Sequence, residues 1–189
     1  MAFSNWTMAR WLGYGDVRNP HTFNEKLHWM RIHYRNELLI DLADKWEVRS
    51  YVRERIGEQY LNELYAVWDS AKDIDLSALP ERFAIKSSNG SGMNVLVKDK
   101  SSVSLGGLQK IFERWARRDF TELGREWVYP GRPKKILVER YLLNDCGAIP
   151  DDYKIFCFNG KPKMIQVDLD RFGNHTRALY DVTWERLPF

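Results

Sequence analysis

The stretch FAIKSSNGSGMNVLV, residues 83–97, ends an apolar run on a single lysine, then passes through serine, asparagine and glycine into a second apolar run. Strand-forming residues on both sides of a glycine-bearing loop predict strand, loop, strand. The loop lacks the Gly-Lys-Ser/Thr ending of a Walker loop, and it precedes a strand where Walker and Rossmann loops precede a helix. Both of those nucleotide-binding readings are excluded. What remains is a hairpin whose small residues let backbone N–H groups approach an anion, with Lys86 as a point charge for phosphate. Protein kinases also cover phosphates with a glycine-rich hairpin. Taken alone, residues 88–92 read as a plain hairpin tip.

Two further strands carry charges that need an explanation. In ILVERYL, Glu139 alternates with Leu137 and Tyr141, which sets a carboxylate between two apolar groups on one strand face. Buried without a partner it would cost several kcal/mol on the order expected for an isolated charge. Lys86 could satisfy it as a structural ion pair, or the polar edge of a bound base could do so; the sequence leaves both open. Lys154 in DDYKIFCF is likewise an alternating charge among Tyr, Ile, Phe and Cys. Three such inward charges suggest a site.

Helical signals surround these strands. Thr22 and Glu25 form a capping-box pattern opening TFNEKLHWMRIHYRNELLIDLA, predicted as one helix. Asp44 and Glu47 repeat the device before DKWEVRSYVRERIG, which is expected to end near Ile56 with Gly57 as its cap. Ser104 is placed to cap LGGLQKIFERWARRDF. LYAVW reads as a short strand, and Asn159-Gly160 lies between two strand-like runs as the pair a type I′ hairpin prefers. The fold class is therefore α+β. The expected divisions are residues 1–58, a helical region; 59–130, a lobe with the glycine-rich hairpin; and 131–189, a second partial lobe, with residues 129–135 as the least structured join.

Composition narrows the remaining classes. Lysine and arginine exceed aspartate and glutamate by only 29 to 26, too even a balance for a nucleic-acid-binding surface, so no nucleic-acid partner is expected. Cys146 and Cys157 make neither a disulfide framework nor a zinc site. No apolar run is long enough to span a bilayer, and the first residues lack a signal-peptide core, so a cytoplasmic location is expected. The four histidines share no ligand spacing; His28 and His33 are five apart on one helix. Trp29, Trp46 and Trp115 fall in helical apolar patterns and are expected in the core.

In order, NPHTFNEKLHWM, LADKWEVRSYVRERIG, LPERFAIKSSNGSGMNVLV, ILVERYL, DDYKIFCFNGKPKMIQVDLDR and YDVTWERLPF closely resemble the TupA-like ATP-grasp family, linked to teichuronopeptide and other surface-polysaccharide biosynthesis. The resemblance implies two α+β lobes holding ATP, with ATP and Mg2+ as cofactors. It also implies an amide ligase joining a carboxylate to an amine through an acyl phosphate. Amino-acid donor and uronic-acid or polysaccharide-precursor acceptor would be its partners. By position, Lys45 and Lys86 look like the phosphate-gripping lysines, and Ser88, Asn89, Gly90, Ser91 and Gly92 like the loop closing over the phosphates. Glu139 looks like the acid facing the adenine amino group, Leu142 offers its backbone to the ring, and Asp145 is the candidate for the ribose hydroxyls. Lys154 resembles the lysine reaching the transferred phosphate, and Arg171 a basic residue near the acceptor.

The same resemblance puts the family's magnesium-binding acids after the YDVTWERLPF block, so the Mg2+ ligands are expected beyond residue 189. No metal ligand is assigned here, and Asp168, Asp170 and Asp181 are not expected to converge as substitutes. The ATP-grasp fold is accordingly expected to be C-terminally incomplete, a fragment or split product with an unpaired strand edge that a partner chain could complete. Two alternatives stand beside the ligase: a non-catalytic accessory protein binding a glycan or partner, and a glycosyltransferase of the same pathway.

Overall fold

The computed structural model describes residues 15–118, 126–170 and 173–188. The chain runs through helices α1 (Phe23–His33), α2 (Leu38–Ala43) and α3 (Val48–Arg55), then strands β1 (Leu64–Trp68), β2 (Phe83–Ser87) and β3 (Asn94–Val97). Helix α4 (Leu105–Ala116) follows, and then β4 (Ile136–Arg140), β5 (Asp152–Phe158), β6 (Lys161–Leu169) and β7 (Thr176–Tyr180). The fold is mixed α+β with two antiparallel sheets, ordered β1-β4-β2-β3 and β5-β6-β7. The chain divides between Tyr141 and Leu142 into two compact units, one sheet in each.

The expected capping box starts α1: Glu25 N–H donates to the Thr22 hydroxyl at 3.3 Å, and the Glu25 carboxylate accepts from Thr22 N–H at 2.7 Å. Backbone N–H groups of Thr22, Asp16 and His21 hold the Glu25 pKa down to about 2. The single helix expected over 22–43 is instead two. Tyr34 turns to extended backbone, and the Asn36 side chain accepts from Leu38 N–H at 3.1 Å. An asparagine amide offers nearby N–H groups a partner outside the helical ladder, and here it wins. Trp29 also departs from expectation. It is exposed, with its ring 4.9 Å from that of His33, because α1 buries none of its side chains.

In the first unit, Asp44 accepts from Trp46 and Glu47 N–H at 2.8 and 3.2 Å ahead of α3, which ends at Arg55 with Ile56 as its C-cap and Gly57 beyond it. Ser104 caps α4 through Gly107 N–H at 3.1 Å. Leu108 and Phe112, one turn apart on α4, pack with Ile74 and Leu79 against Phe83, Ile85, Val97, Ile136 and Val138 of the sheet. Burying each such side chain fully contributes about 1.5–3 kcal/mol. Trp115 packs against this core as expected.

In the second unit, β5 and β6 form the expected hairpin. Asn159 and Gly160 take φ of 51° and 74°, the left-handed pair that a type I′ turn requires. Pairing runs Phe158 to Lys161 and Cys157 to Pro162, then a bulge shifts it so that Phe156 faces Met164, Lys154 faces Gln166 and Asp152 faces Asp168. A one-residue shift exchanges the two faces of a strand. Without it, Lys154 would lie opposite Ile165, on the apolar side of β6.

A methyl group at Gly160 would meet no atom within 4 Å, so Gly160→Ala tests conformation alone. Denaturant unfolding should show a loss of about 1 kcal/mol from the left-handed backbone; an unchanged midpoint would contradict the turn assignment.

Candidate functional site

Strand β4 lies between β1 and β2. Its alternation sends Ile136 and Val138 into the core and turns Leu137 and Glu139 to the other face of the sheet. There Ala84 lies opposite Glu139, and Lys86 opposite Leu137. Glu139 is 6% exposed. Lys86 Nζ sits 2.6 Å from its Oε2, Arg49 of α3 approaches Oε1 at 3.6 Å, and the Asn62 amide donates to Oε2 at 3.2 Å. Arg49 is fixed in turn by donating to the Asn62 carbonyl at 2.8 Å. The ion pair with Lys86, one of the two partners left open for Glu139, is formed.

The loop after Lys86 is anchored at its start and open at its tip. Ser88 and Asn89 are fully buried. The Ser88 hydroxyl donates to Asp44 at 2.8 Å and accepts from Lys135 N–H at 3.1 Å, while its own N–H reaches the Lys135 carbonyl at 2.8 Å. The Asn89 amide donates to the carbonyls of Tyr129 and Arg132 at 3.1 and 3.3 Å. Lys45 Nζ donates to the carbonyls of Ser88 and Gly90 at 3.3 and 3.0 Å. Gly90 and Gly92 take φ of 85° and 70°, and only Ser91 and Gly92 are exposed. Burial first, and then the Lys86 ammonium, push the Lys45 pKa below its ordinary value; Asp44 and Glu139 pull it the other way.

The second unit holds a different cluster. Lys154 contacts the carboxylates of Asp152 and Asp168. Asp168, 2% exposed, also accepts from Arg177 Nε at 2.6 Å and Gln166 Nε2 at 2.9 Å, with His175 Nε2 at 3.2 Å. Hydrogen bonds from Lys154 and then Arg177 hold its pKa well below the usual carboxylate range. Bonds to Asp152 and then Asp168 raise that of Lys154. Leu142 and Asp145 lie in an exposed connection, where the Asn144 side chain accepts from Cys146 and Ala148 N–H at 3.1 and 2.9 Å. Arg171 lies outside the described residues.

The family model described as TupA-like ATPgrasp matches residues 25–189. The chain belongs to the TupA-like ATP-grasp family. No curated protein and no solved structure matches it. Membership suggests an ATP-dependent, ligase-type role, and ATP-grasp proteins generally use ATP and Mg2+. Among the described residues, no helix is long and apolar enough to cross a membrane.

The described part of this ATP-grasp chain does not fit a magnesium ion. No group of three or more His, Cys, Asp or Glu side chains there could hold a metal. Asp168 is saturated by donors, Asp170 accepts from Asn174 N–H at 2.7 Å, and Asp181 from Thr183 and Glu185 N–H at 2.8 and 2.9 Å. Each carboxylate serves its own turn or strand.

Sequence reasoning missed Arg49 and Asn62, which brace Glu139, and the second role of Asp44, whose other oxygen holds Ser88. It also missed Arg177 and His175. The available signal for Arg49 was an arginine on the apolar side of α3. For Arg177 it was a further charge on a strand, two residues from the apolar Leu179.

The Lys45 ammonium loses protons more easily in the folded protein than in the unfolded chain. Between its lowered pKa and the ordinary 10.5, the unfolded chain therefore binds more protons, and this group's contribution to stability rises with pH through that window. Side-chain NMR titration should show the Lys45 pKa moving up in Lys86→Ala, yet remaining below the ordinary value because burial persists. No movement would show that the two ammonium groups do not sense one another.

Proposed function

We propose that this protein is an ATP-dependent carboxylate–amine ligase acting in cell-surface polysaccharide biosynthesis, teichuronopeptide-like or capsular. In the proposed reaction a carboxylate oxygen of a uronic-acid or polysaccharide-precursor acceptor attacks the terminal phosphorus of ATP, and ADP leaves. The amine of an amino-acid donor then attacks the acyl carbon of the resulting acyl phosphate. The C–O bond to phosphate breaks, inorganic phosphate departs, and the amine loses a proton as the amide forms. A cytoplasmic location accords with the supply of ATP.

The single observation that carries this reading is the face of β4 opposite the core, where Lys86, Lys45 and Glu139 gather beside Leu137 and Ala84. One carboxylate suits the amino group of an adenine ring and two lysines suit phosphates, with the fully buried Leu137 as apolar backing beneath them. Lys86 and Lys45 are assigned the nucleotide phosphates, and Glu139 the adenine amino group. The Leu142 backbone is assigned the ring, and Asp145 the ribose. Within residues 88–92, the buried Ser88 and Asn89 set the base of the loop, and Ser91 with Gly92 form the part able to lie over phosphate. Lys154 is assigned the transferred phosphate and Arg171 the acceptor.

Lys86→Ala leaves Glu139 with Arg49 and Asn62, so the variant is expected to fold. Calorimetry should show ATP binding by the unaltered chain and its loss in Lys86→Ala; equal affinity in the two would remove Lys86 from the nucleotide site. Phosphate release from ATP, measured with amino acids and uronic-acid acceptors, should require both co-substrates; release from ATP alone at the same rate would point to a hydrolase.

A further inference from the structure

The Asp168 cluster does more than satisfy a buried carboxylate. Both of its oxygens are occupied: Oδ1 by Arg177 Nε and His175 Nε2, Oδ2 by Lys154 Nζ and Gln166 Nε2. The carboxylate side chain is 3% exposed, whereas Lys154, His175 and Arg177 are 42%, 41% and 49% exposed. One buried anion thus holds three nitrogen-bearing side chains that all reach water. Arg177 faces Asp168 across the β6–β7 ladder and touches it through Nε, which leaves the two terminal nitrogens of its guanidinium fork outside that contact. Fixed at one edge and half-exposed at the other, such a fork matches the paired oxygens of a phosphate or carboxylate.

We propose that Arg177, with Lys154 beside it and both held by Asp168, forms a binding site for an oxyanion group, either a phosphoryl group or a sugar carboxylate. Asp168 is the positioning residue: it fixes the direction of the fork and lies too deep to repel the ligand at the surface, while Asp152, 33% exposed, pairs with Lys154 and leaves the direct contact to Arg177. Arg177 contacts the anion. The assignment deepens the ligase reading and rests on it only for these two sources of the anion, since the geometry itself calls for paired oxygens and no more.

The test uses the intact chain, with inorganic phosphate and glucuronate as separate probes. Dissociation constants and the Arg177 Nε–H NMR resonance are followed in both titrations. At least one probe should shift that resonance, and Arg177→Lys, which keeps the charge but loses the fork, should weaken its binding about tenfold, the loss of one charge-assisted hydrogen bond. Arg177→Met should weaken it further, with the thermal midpoint of each variant checking the fold. Asp168→Asn should broaden or displace the Arg177 resonance and weaken binding while Arg177 is still present. Response to phosphate alone assigns the site to the phosphoryl group, and response to glucuronate alone assigns it to the acceptor. Failure of both probes to shift the resonance, or affinity within twofold in Arg177→Lys and Arg177→Met, overturns the proposal. Oxyanion binding by an unaltered chain that binds no ATP in calorimetry would refute the ligase reading and leave this site standing.

Discussion

Glu139 lies on the central strand of its sheet, nearly closed off from water, and a carboxylate there cannot remain ionised alone. The desolvation penalty amounts to several kcal/mol, on the order known for isolated buried ions. Its partners are drawn from three separate parts of the first unit: Lys86 from β2, Arg49 from α3 and Asn62 from the approach to β1. Pairing one charge therefore fixes a helix and two strand ends relative to β4. A second buried latch, Asp44 to Ser88 to the backbone of Lys135, ties the turn before α3 to the start of the glycine loop and to the chain entering β4. The loop base is thereby rigid for reasons unrelated to glycine content.

The second unit meets the same problem in the same way. Its central strand, β6, carries Asp168 on one face, and the cations that neutralise it come from both neighbouring strands. In each unit the carboxylate is buried while Lys86 in the first, and Lys154 and Arg177 in the second, are only partly so; Arg49 is buried with Glu139. This asymmetry matters for function: the acid orients, and the bases retain a side toward solvent where a ligand could meet them.

The elements legible in the sequence were those specified by local chemistry. Thr22 with Glu25, Ser104 with α4, Asn159-Gly160 and the alternation of Glu139 each rest on a few adjacent residues, and each is found. The break after α1 was hidden because the competitor is the single side chain of Asn36 inside an otherwise helical pattern. The partners of Glu139 were hidden because Arg49 and Asn62 meet it only through the fold, 90 and 77 positions away along the chain. The face of Lys154 was hidden for a subtler reason: counting back from the Asn159-Gly160 turn pairs it with Ile165, and the bulge that corrects the register leaves no turn residue to announce it.

Electrostatics gives the Lys45 and Lys86 arrangement its direction. Burial disfavours the Lys45 ammonium, and the nearby Lys86 charge adds to that cost. Two cations that repel one another in a partly desolvated site lose their mutual penalty when a polyanion enters between them or beside them. Glu139 supplies part of that relief in the unliganded protein by holding Lys86. A ligand that drew Lys86 away would leave Glu139 still bonded to Asn62 and within 3.6 Å of Arg49. The exchange then costs far less than exposing an unpaired buried carboxylate. Arg49 and Asn62, neither of which needs to touch a ligand, are what make Lys86 free to do so.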